Sequence, residues 1–92
     1  MKLQQFKYVR EIARHGLSIS AAAIAMHTSQ PGVSNQLQLL EDELGLQIFG
    51  RHGKRLTGLT LFGQSVIKMA DRVLLDVENI SQLAADSKDE QL

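Results

Sequence analysis

Residues 20–55 constrain the fold more than any other part of the chain, because two helical segments there are joined by a very short turn. The first segment, residues 20–26, is mostly alanine, so a second helix can cross it closely. Only His27 and Thr28 separate it from the next segment, which begins at Ser29. This order predicts a helix-turn-helix, in which the second helix projects side chains away from the core.

The second helix carries signals at both ends and along its length. Ser29 is suited to cap its N-terminus, Pro31 to occupy its first turn, and Gly45 to end it. Apolar residues recur on one face with helical spacing, at Val33, Leu37, Leu40 and Leu44. We therefore predict an amphipathic helix that buries this stripe.

The opposite face of this helix is polar but uncharged. It presents Pro31, Ser34, Asn35 and Gln38, with Gln30 at the N-terminal tip. Amide and hydroxyl groups can pair with base edges in a DNA major groove, and a proline ring can contact a thymine methyl group. The alternative is an ordinary amphipathic helix whose polar face is only solvated, but the neighbouring segments favour DNA reading.

A short hairpin with three cations is predicted directly after this helix. Residues 47–49 and 56–57 are β-prone, and they flank a turn that contains two glycines together with Arg51, Lys54 and Arg55. Beside a helix-turn-helix, such a hairpin is typical of a wing, whose cations follow phosphates or enter the minor groove. A solvated hairpin without a ligand is the alternative.

A long helix is predicted from Thr60 onward, because no proline follows that residue. Apolar residues in it follow the 4-3-4-3-4 spacing of a coiled-coil seam, at Val66, Ala70, Val73, Val77, Ile80 and Ala84. We predict that this seam pairs residues 61–85 with the same helix of a second subunit. Packing of the helix on its own head is the alternative. Residues 86–92 are polar and unpatterned, and we interpret them as a tail or the start of a hinge.

The net charge of zero divides unevenly along the chain. Residues 1–60 contain seven Lys and Arg against four Asp and Glu, whereas residues 61–92 contain three against six, so the two parts carry +3 and −3. The positive part is the one with the helix-turn-helix, as attraction to DNA phosphates requires. Because the excess is small, a single copy is expected to bind DNA weakly.

Other function classes find little support in the residues. The lack of Cys excludes disulfides and thiolate metal sites. His15, His27 and His52 lie on separate segments without metal-ligand spacing, so no metal is expected. The carboxylates at residues 41–43 are adjacent on a helix and point apart, which disfavours a paired general acid and base. The longest apolar run, residues 21–26, is too short to span a membrane. We therefore expect a cytoplasmic protein that is not an enzyme.

Motifs spread over nearly the whole chain point to one family. They are Ala22-Ala23, Ser29-Gln-Pro-Gly-Val-Ser34, Leu40-Glu41, Leu44-Gly45, Ile48-Phe49 with Arg51, and Leu59-Thr60 with Gly63. Together they resemble the N-terminal DNA-binding domain of LysR-type transcriptional regulators. Within that family, residues 1–5, 28–32, 40–45 and 53–57 are most similar to the CysB group, whose members regulate sulfur assimilation.

The resemblance implies a homodimer formed through the linker helix, or a tetramer in a full-length protein, and a C-terminal effector domain beyond this chain. No cofactor is therefore expected within the chain itself. Asn35 departs from the family, in which Arg or Lys is usual at this position, and Gly50 and Leu61 also replace the usual residues. From the residues and the resemblance together, we expect DNA contacts from Thr28, Ser29, Gln30, Pro31, Ser34, Asn35, Gln38, Arg51, Lys54 and Arg55.

The prediction for the whole chain is a mainly α fold. Residues 1–60 form a winged helix-turn-helix head, residues 61–85 form a dimerisation helix, and residues 86–92 follow as the tail. The predicted function is sequence-specific binding of double-stranded DNA by a transcriptional regulator. A protein-interaction module with the same fold is the alternative. The weak positive charge and Asn35 favour this alternative, whereas Gln30, Ser34 and the basic hairpin favour DNA.

Overall fold

The structure, a computed structural model, describes residues 1–90. These residues form α1 (Leu3–Arg14), α2 (Ile19–Ala25), α3 (Gln30–Leu44), β1 (Phe49–His52), β2 (Arg55–Leu59) and α4 (Leu61–Glu90). The two strands form an antiparallel hairpin beside α3, and α4 follows it directly. The predicted architecture, a mainly α winged helix-turn-helix with a long last helix, is confirmed.

The core lies between the first three helices and the start of the hairpin. Its apolar residues are almost inaccessible to solvent, and they include Val9, Ile12, Ala22, Ala23, Val33, Leu37, Leu40, Ile48 and Phe49. Three members come from the predicted stripe of α3, and Leu44 packs at the edge. The small side chains of Ala22 and Ala23 let α2 and α3 approach each other closely.

The turn between α2 and α3 uses a histidine where a glycine is common. His27 has a φ of 54°, in the left-handed region, and the Thr28 N–H donates to the carbonyl of Ala23 at 3.0 Å. Histidine tolerates this conformation better than most residues with a side chain. At the start of α2, the hydroxyl of Ser18 accepts a hydrogen bond from a first-turn N–H at 3.0 Å. Ser18 is therefore the N-cap of α2, and the hydroxyl of Ser20 is not used for this purpose.

Both predicted ends of α3 are present. The Ser29 hydroxyl accepts from the N–H of Gly32 at 3.1 Å, which satisfies one free donor of the first turn. Gly45 ends the helix with a φ of 75°, and its N–H donates to the carbonyl of Glu41 at 2.9 Å. The length and direction of α3 are therefore fixed by local sequence at both ends.

A tight junction connects the hairpin region to α4. The Thr60 hydroxyl donates to the carbonyl of Gln47 at 2.7 Å and accepts from the N–H of Gly63 at 2.9 Å. Gly63 is buried against the backbone of Ile48, where an added Cβ would overlap the carbonyl oxygen. The junction therefore sets the direction in which α4 leaves the head.

The last helix is longer than predicted. It has 30 residues and continues to Glu90, and within its last part the Gln82 amide donates to the Asp86 carboxylate at 2.9 Å. The predicted end of this helix at residue 85 is therefore corrected, since residues 86–90, interpreted as a tail or the start of a hinge, are helical. Residues 91–92, the rest of that predicted tail, lie outside the described residues.

One apolar face of α4 is already covered by the head. This helix packs mainly on α1, and Ala70 and Leu74 are only 3% and 1% exposed. An ion pair between Arg10 and Glu78, at 3.1 Å, lies along the same contact. The prediction that Ala70 belongs to the dimer seam is therefore wrong. For this face of α4, the alternative prediction, packing of the helix on its own head, is correct.

A second apolar face of α4 lies open to solvent. The side chains of Met69, Val73, Ile80 and Leu83 are 45–69% exposed, and Asp76 interrupts their row. We call these five residues the exposed stripe. Of the predicted seam, Val73 and Ile80 belong to it, Ala84 is exposed beside it, and Val66 and Val77 are half-buried.

Candidate nucleic-acid interface

The polar face of α3 forms an open, uncharged surface. Pro31, Ser34, Asn35 and Gln38 are exposed and line one shallow depression. The Gln38 amide nitrogen donates to the Asp42 carboxylate at 2.8 Å, which leaves the Gln38 amide oxygen directed elsewhere as an acceptor. The structure thus brings together the four residues that the periodicity placed on this face.

A second groove lies between α3 and the hairpin. Gln30, Ser34 and Gln38 line it from the helix side, and Arg51 and Lys54 line it from the hairpin side. Hydrogen-bonding groups and cations therefore face the same space. This is the combination that a nucleic acid requires, because base edges are read by hydrogen bonds and phosphates are held by positive charge.

The tip of the hairpin is cationic and exposed. Gly53 makes the turn between the strands with a φ of 62°. Lys54 and Arg55 are exposed beside it, and within residues 1–90 neither takes part in an ion pair. These two side chains are free to follow phosphates or to enter a minor groove.

Arg51 differs from the other two hairpin cations. Its guanidinium lies 2.6 Å from the Glu41 carboxylate and also donates to the carbonyl of Phe49 at 3.1 Å. Its side chain is only 25% exposed. Of the three predicted wing cations, Arg51 is therefore the one whose charge is paired with a carboxylate of α3, and its contact with DNA stays a prediction. A β-bulge between Gly50 and Arg51 accompanies this arrangement.

The partner of Arg51 is a buried carboxylate. The Glu41 side chain is 3% exposed, and it accepts from the N–H groups of Ile48 and Phe49 at 2.6 and 3.3 Å. A buried charge needs such partners to offset its loss of hydration. In the sequence, Glu41 looks like one of three solvated carboxylates at residues 41–43. Its burial could have been predicted from spacing, because Glu41 follows Leu37 by four residues and so lies on the buried face of α3.

The N-terminus of α3 is also exposed. Thr28 and Ser29 lie at this end, and the Ser29 hydroxyl is used by the cap. The free N–H groups of a first helical turn and the partial positive charge there favour a nearby phosphate. Both residues thus lie at the end of α3 that also carries Gln30.

Within residues 1–90, no group of three or more His, Asp and Glu is arranged to hold a metal ion. His15 contacts Glu11 one turn earlier on its helix at 3.3 Å, whereas His27 and His52 are exposed. The described helices include none that is long and apolar enough to span a membrane.

A helix-turn-helix whose second helix and cationic hairpin share one groove defines the winged helix-turn-helix class. Residues 3–64 match the family described as "Bacterial regulatory helix-turn-helix protein, lysR family". The chain belongs to this family, and the resemblance predicted from its motifs is confirmed.

The most similar curated proteins include two regulators. The chain is 47% identical to the HTH-type transcriptional regulator SsuR of Burkholderia cenocepacia, over 98% of this chain and 29% of that protein. It is 45% identical to the HTH-type transcriptional regulator CysB of Haemophilus influenzae, over 91% of this chain and 26% of that protein. The predicted similarity to the CysB group is therefore supported, and the chain spans less than a third of the length of these relatives.

Solved structures with the same fold include two DNA complexes. The CbnR DNA-binding domain bound to DNA superposes with a TM-score of 0.82 at 30% identity, covering 95% of this chain and 98% of that one. The BenM DNA-binding domain bound to catB site 1 DNA gives a TM-score of 0.85 at 27% identity, covering 94% of each chain. In both proteins this fold is seen with DNA.

Proposed function

We propose that this chain is the DNA-binding and dimerisation segment of a LysR-type transcriptional regulator. The observation that carries the proposal is the groove between α3 and the hairpin, which has Gln30 and Ser34 on one side and Lys54 on the other. The similarity to CbnR and BenM, each solved with DNA, supports it. Double-stranded DNA is the proposed ligand.

The proposed roles divide by chemistry. Uncharged side chains of α3 read base edges in the major groove, and they are Gln30, Pro31, Ser34, Asn35 and Gln38. Groups at the rim hold phosphates, and they are Thr28, Ser29, Lys54 and Arg55. Arg51 lines the groove as well, but its pairing with Glu41 makes holding the hairpin its main role.

Dimerisation through the exposed stripe is the second part of the proposal. Four large apolar side chains in one row are unfavourable in water unless a partner covers them, and a second copy of α4 provides an equivalent row. A dimer would also bind DNA more tightly than one weakly positive head can alone, because once one head is bound the second binding event becomes intramolecular. A tetramer is proposed only for a longer protein.

The biological setting is proposed from the relatives. Similarity to CysB and SsuR over nearly the whole chain supports target genes in sulfur metabolism. We place the protein in the cytoplasm, where a bacterial regulator meets the chromosome. An effector, as the family resemblance implies, is proposed to bind a C-terminal domain beyond this segment, and residues 1–90 are proposed to act without a cofactor.

The proposal is tested by selecting binding sites from random duplexes and then titrating selected and unselected DNA. Lys54→Ala should weaken both kinds of DNA equally and lower the salt slope of log K by about one unit, since one phosphate contact is lost. Gln30→Ala should weaken only the selected site, by about 1–3 kcal/mol. Lys68→Ala, an exposed lysine of α4, is the matched control and should change neither.

Two results would contradict the proposal. One is a selection that enriches no sequence, and the other is an equal effect of the Lys54 and Lys68 variants on binding and salt dependence. Together, these two results would favour the alternative function, a winged helix-turn-helix module that binds protein rather than DNA.

A further inference from the structure

We propose that Ser20 is a positioning residue for base reading, which holds the amide of Gln30 so that its N–H groups face the DNA. The Ser20 hydroxyl donates to the amide oxygen of Gln30 at 2.8 Å, linking α2 to the tip of α3. The inference rests on the proposed function, since it requires that Gln30 reads a base.

The hydroxyl of Ser20 is available for this role. Ser18 caps α2, with its hydroxyl 3.0 Å from a first-turn N–H, so the start of the helix does not require Ser20. Both Ser20 and Gln30 are exposed in the free protein, where water competes for their bond. Docked DNA would exclude that water, and the bond strengthens in the lower local dielectric.

Fixing the amide oxygen decides which chemical group Gln30 offers. A glutamine amide has an accepting oxygen and a donating nitrogen with two N–H groups, placed on opposite sides of the amide carbon. When the oxygen is held against Ser20, the nitrogen turns away from α2. Because Gln30 lines the groove between α3 and the hairpin, these N–H groups are directed into the space where a base edge would lie.

The orientation favours one base over another. In the major groove guanine presents two acceptors, O6 and N7, whereas adenine presents an acceptor beside a donor. An amide that offers only donors suits guanine, and an amide free to offer both groups suits adenine. We therefore infer that Gln30 selects guanine as long as Ser20 is in place.

Site selection from random duplexes, followed by titration of guanine and adenine at each selected position, tests the inference. Gln30→Ala identifies the position that Gln30 reads. At that position the wild type and Ser20→Thr, which keeps the hydroxyl, should prefer guanine. Ser20→Ala should lower the guanine-over-adenine ratio about tenfold. Ser65→Ala, an exposed serine of α4, is the control and should match the wild type. Thermal melting checks that every variant is folded.

The outcomes separate this inference from the proposed function. If Gln30→Ala changes no position, base reading by Gln30 fails and the inference fails with it. If Gln30→Ala abolishes a preference that Ser20→Ala leaves intact, the inference is overturned while DNA binding stands. A wild-type preference for adenine at that position, or an equal loss on all DNA for Ser20→Ala, also overturns it.

Discussion

Among single residues, Glu41 connects α3 to the hairpin, because its carboxylate receives donors from three residues around the start of the hairpin. Two are backbone N–H groups and the third is the guanidinium of Arg51. The hairpin therefore cannot shift relative to α3 without exposing a buried charge or leaving it unpaired. The spacing between the uncharged face of α3 and the cations of the hairpin therefore depends on this one side chain.

The first residue-scale prediction concerns the pair of Glu41 and Arg51. Arg51→Gln should destabilise the fold by about 1–3 kcal/mol, because it leaves a buried carboxylate with only backbone partners. Glu41→Gln should have a similar cost, and the double variant should cost less than the sum of the two, since they remove one shared interaction. Urea unfolding of the four proteins measures this coupling.

Salt dependence of DNA binding distinguishes pairing from phosphate contact at Arg51. A guanidinium held by Glu41 contributes little to the salt slope, so Arg51→Gln should leave the slope near that of the wild type. Additive stability losses, together with a slope lowered by about one unit as in Lys54→Ala, would show instead that Arg51 holds a phosphate.

The second residue-scale prediction concerns Asn35, where Arg or Lys is usual in the family. Its side chain is exposed between Ser34 and Gln38 on the uncharged surface. We expect Asn35→Arg to change the preferred base at one operator position towards guanine, because arginine pairs with guanine O6 and N7. Site selection with both proteins measures it. An unchanged consensus with tighter binding to every DNA would mean that the new arginine only adds a phosphate contact.

At the scale of elements, the junction before α4 determines how the head and the long helix are connected. Gly63 lies against the Ile48 backbone, which has no flexible end that could move aside. Gly63→Ala should therefore lower the free energy of unfolding by about 1–3 kcal/mol through overpacking, although alanine is the better helix former. Thermal melting measures it, with Ser65→Ala two residues later as the control. A Gly63→Ala protein at least as stable as the wild type would show that the junction can open without cost.

The elements also show what sequence can and cannot predict. The ends of α3 were predictable, because Ser29 and Gly45 act on backbone groups a few residues away. The buried face of α3 was also predictable, because the helical spacing of its apolar residues is a local property of the sequence. The partner of Arg51 was not predictable from its charge, which indicates that it needs an anion but not which one. Ala70 was assigned to the wrong face because the two apolar faces of α4 are adjacent, and spacing alone does not show which neighbour covers each residue.

At the scale of the whole molecule, α4 gives the protein an elongated shape. The principal extents are 56 × 25 × 21 Å, and the part of α4 beyond α1 has no cover within the described chain. The exposed stripe begins at Met69, which lies beside Met1 and Phe6, and runs outward along α4, and none of its residues lines the groove between α3 and the hairpin. The proposed dimerisation and the proposed DNA binding therefore use different surfaces.

The whole-molecule prediction concerns self-association. Val73→Asp combined with Ile80→Asp should convert a dimer into a monomer, because two unpaired charges would be buried at a cost of several kcal/mol. Leu75→Asp is the control, since Leu75 is 54% exposed and lies on the other side of α4. Sedimentation equilibrium at micromolar concentration measures the mass. A monomeric wild type, or a dimer that persists in the double variant, would contradict the prediction.

If the exposed stripe pairs two subunits as proposed, Asp76, which interrupts it, has a consequence for the choice of partner among related regulators in one cell. In a paired stripe this carboxylate is tolerated where the facing helix supplies a cation or leaves room for water, and it is unfavourable against an uninterrupted apolar row. Helices of paralogues that differ at this position would thus mix poorly with this chain. One acidic residue would then keep separate regulatory circuits from exchanging subunits, at the expense of some stability in the proper pair.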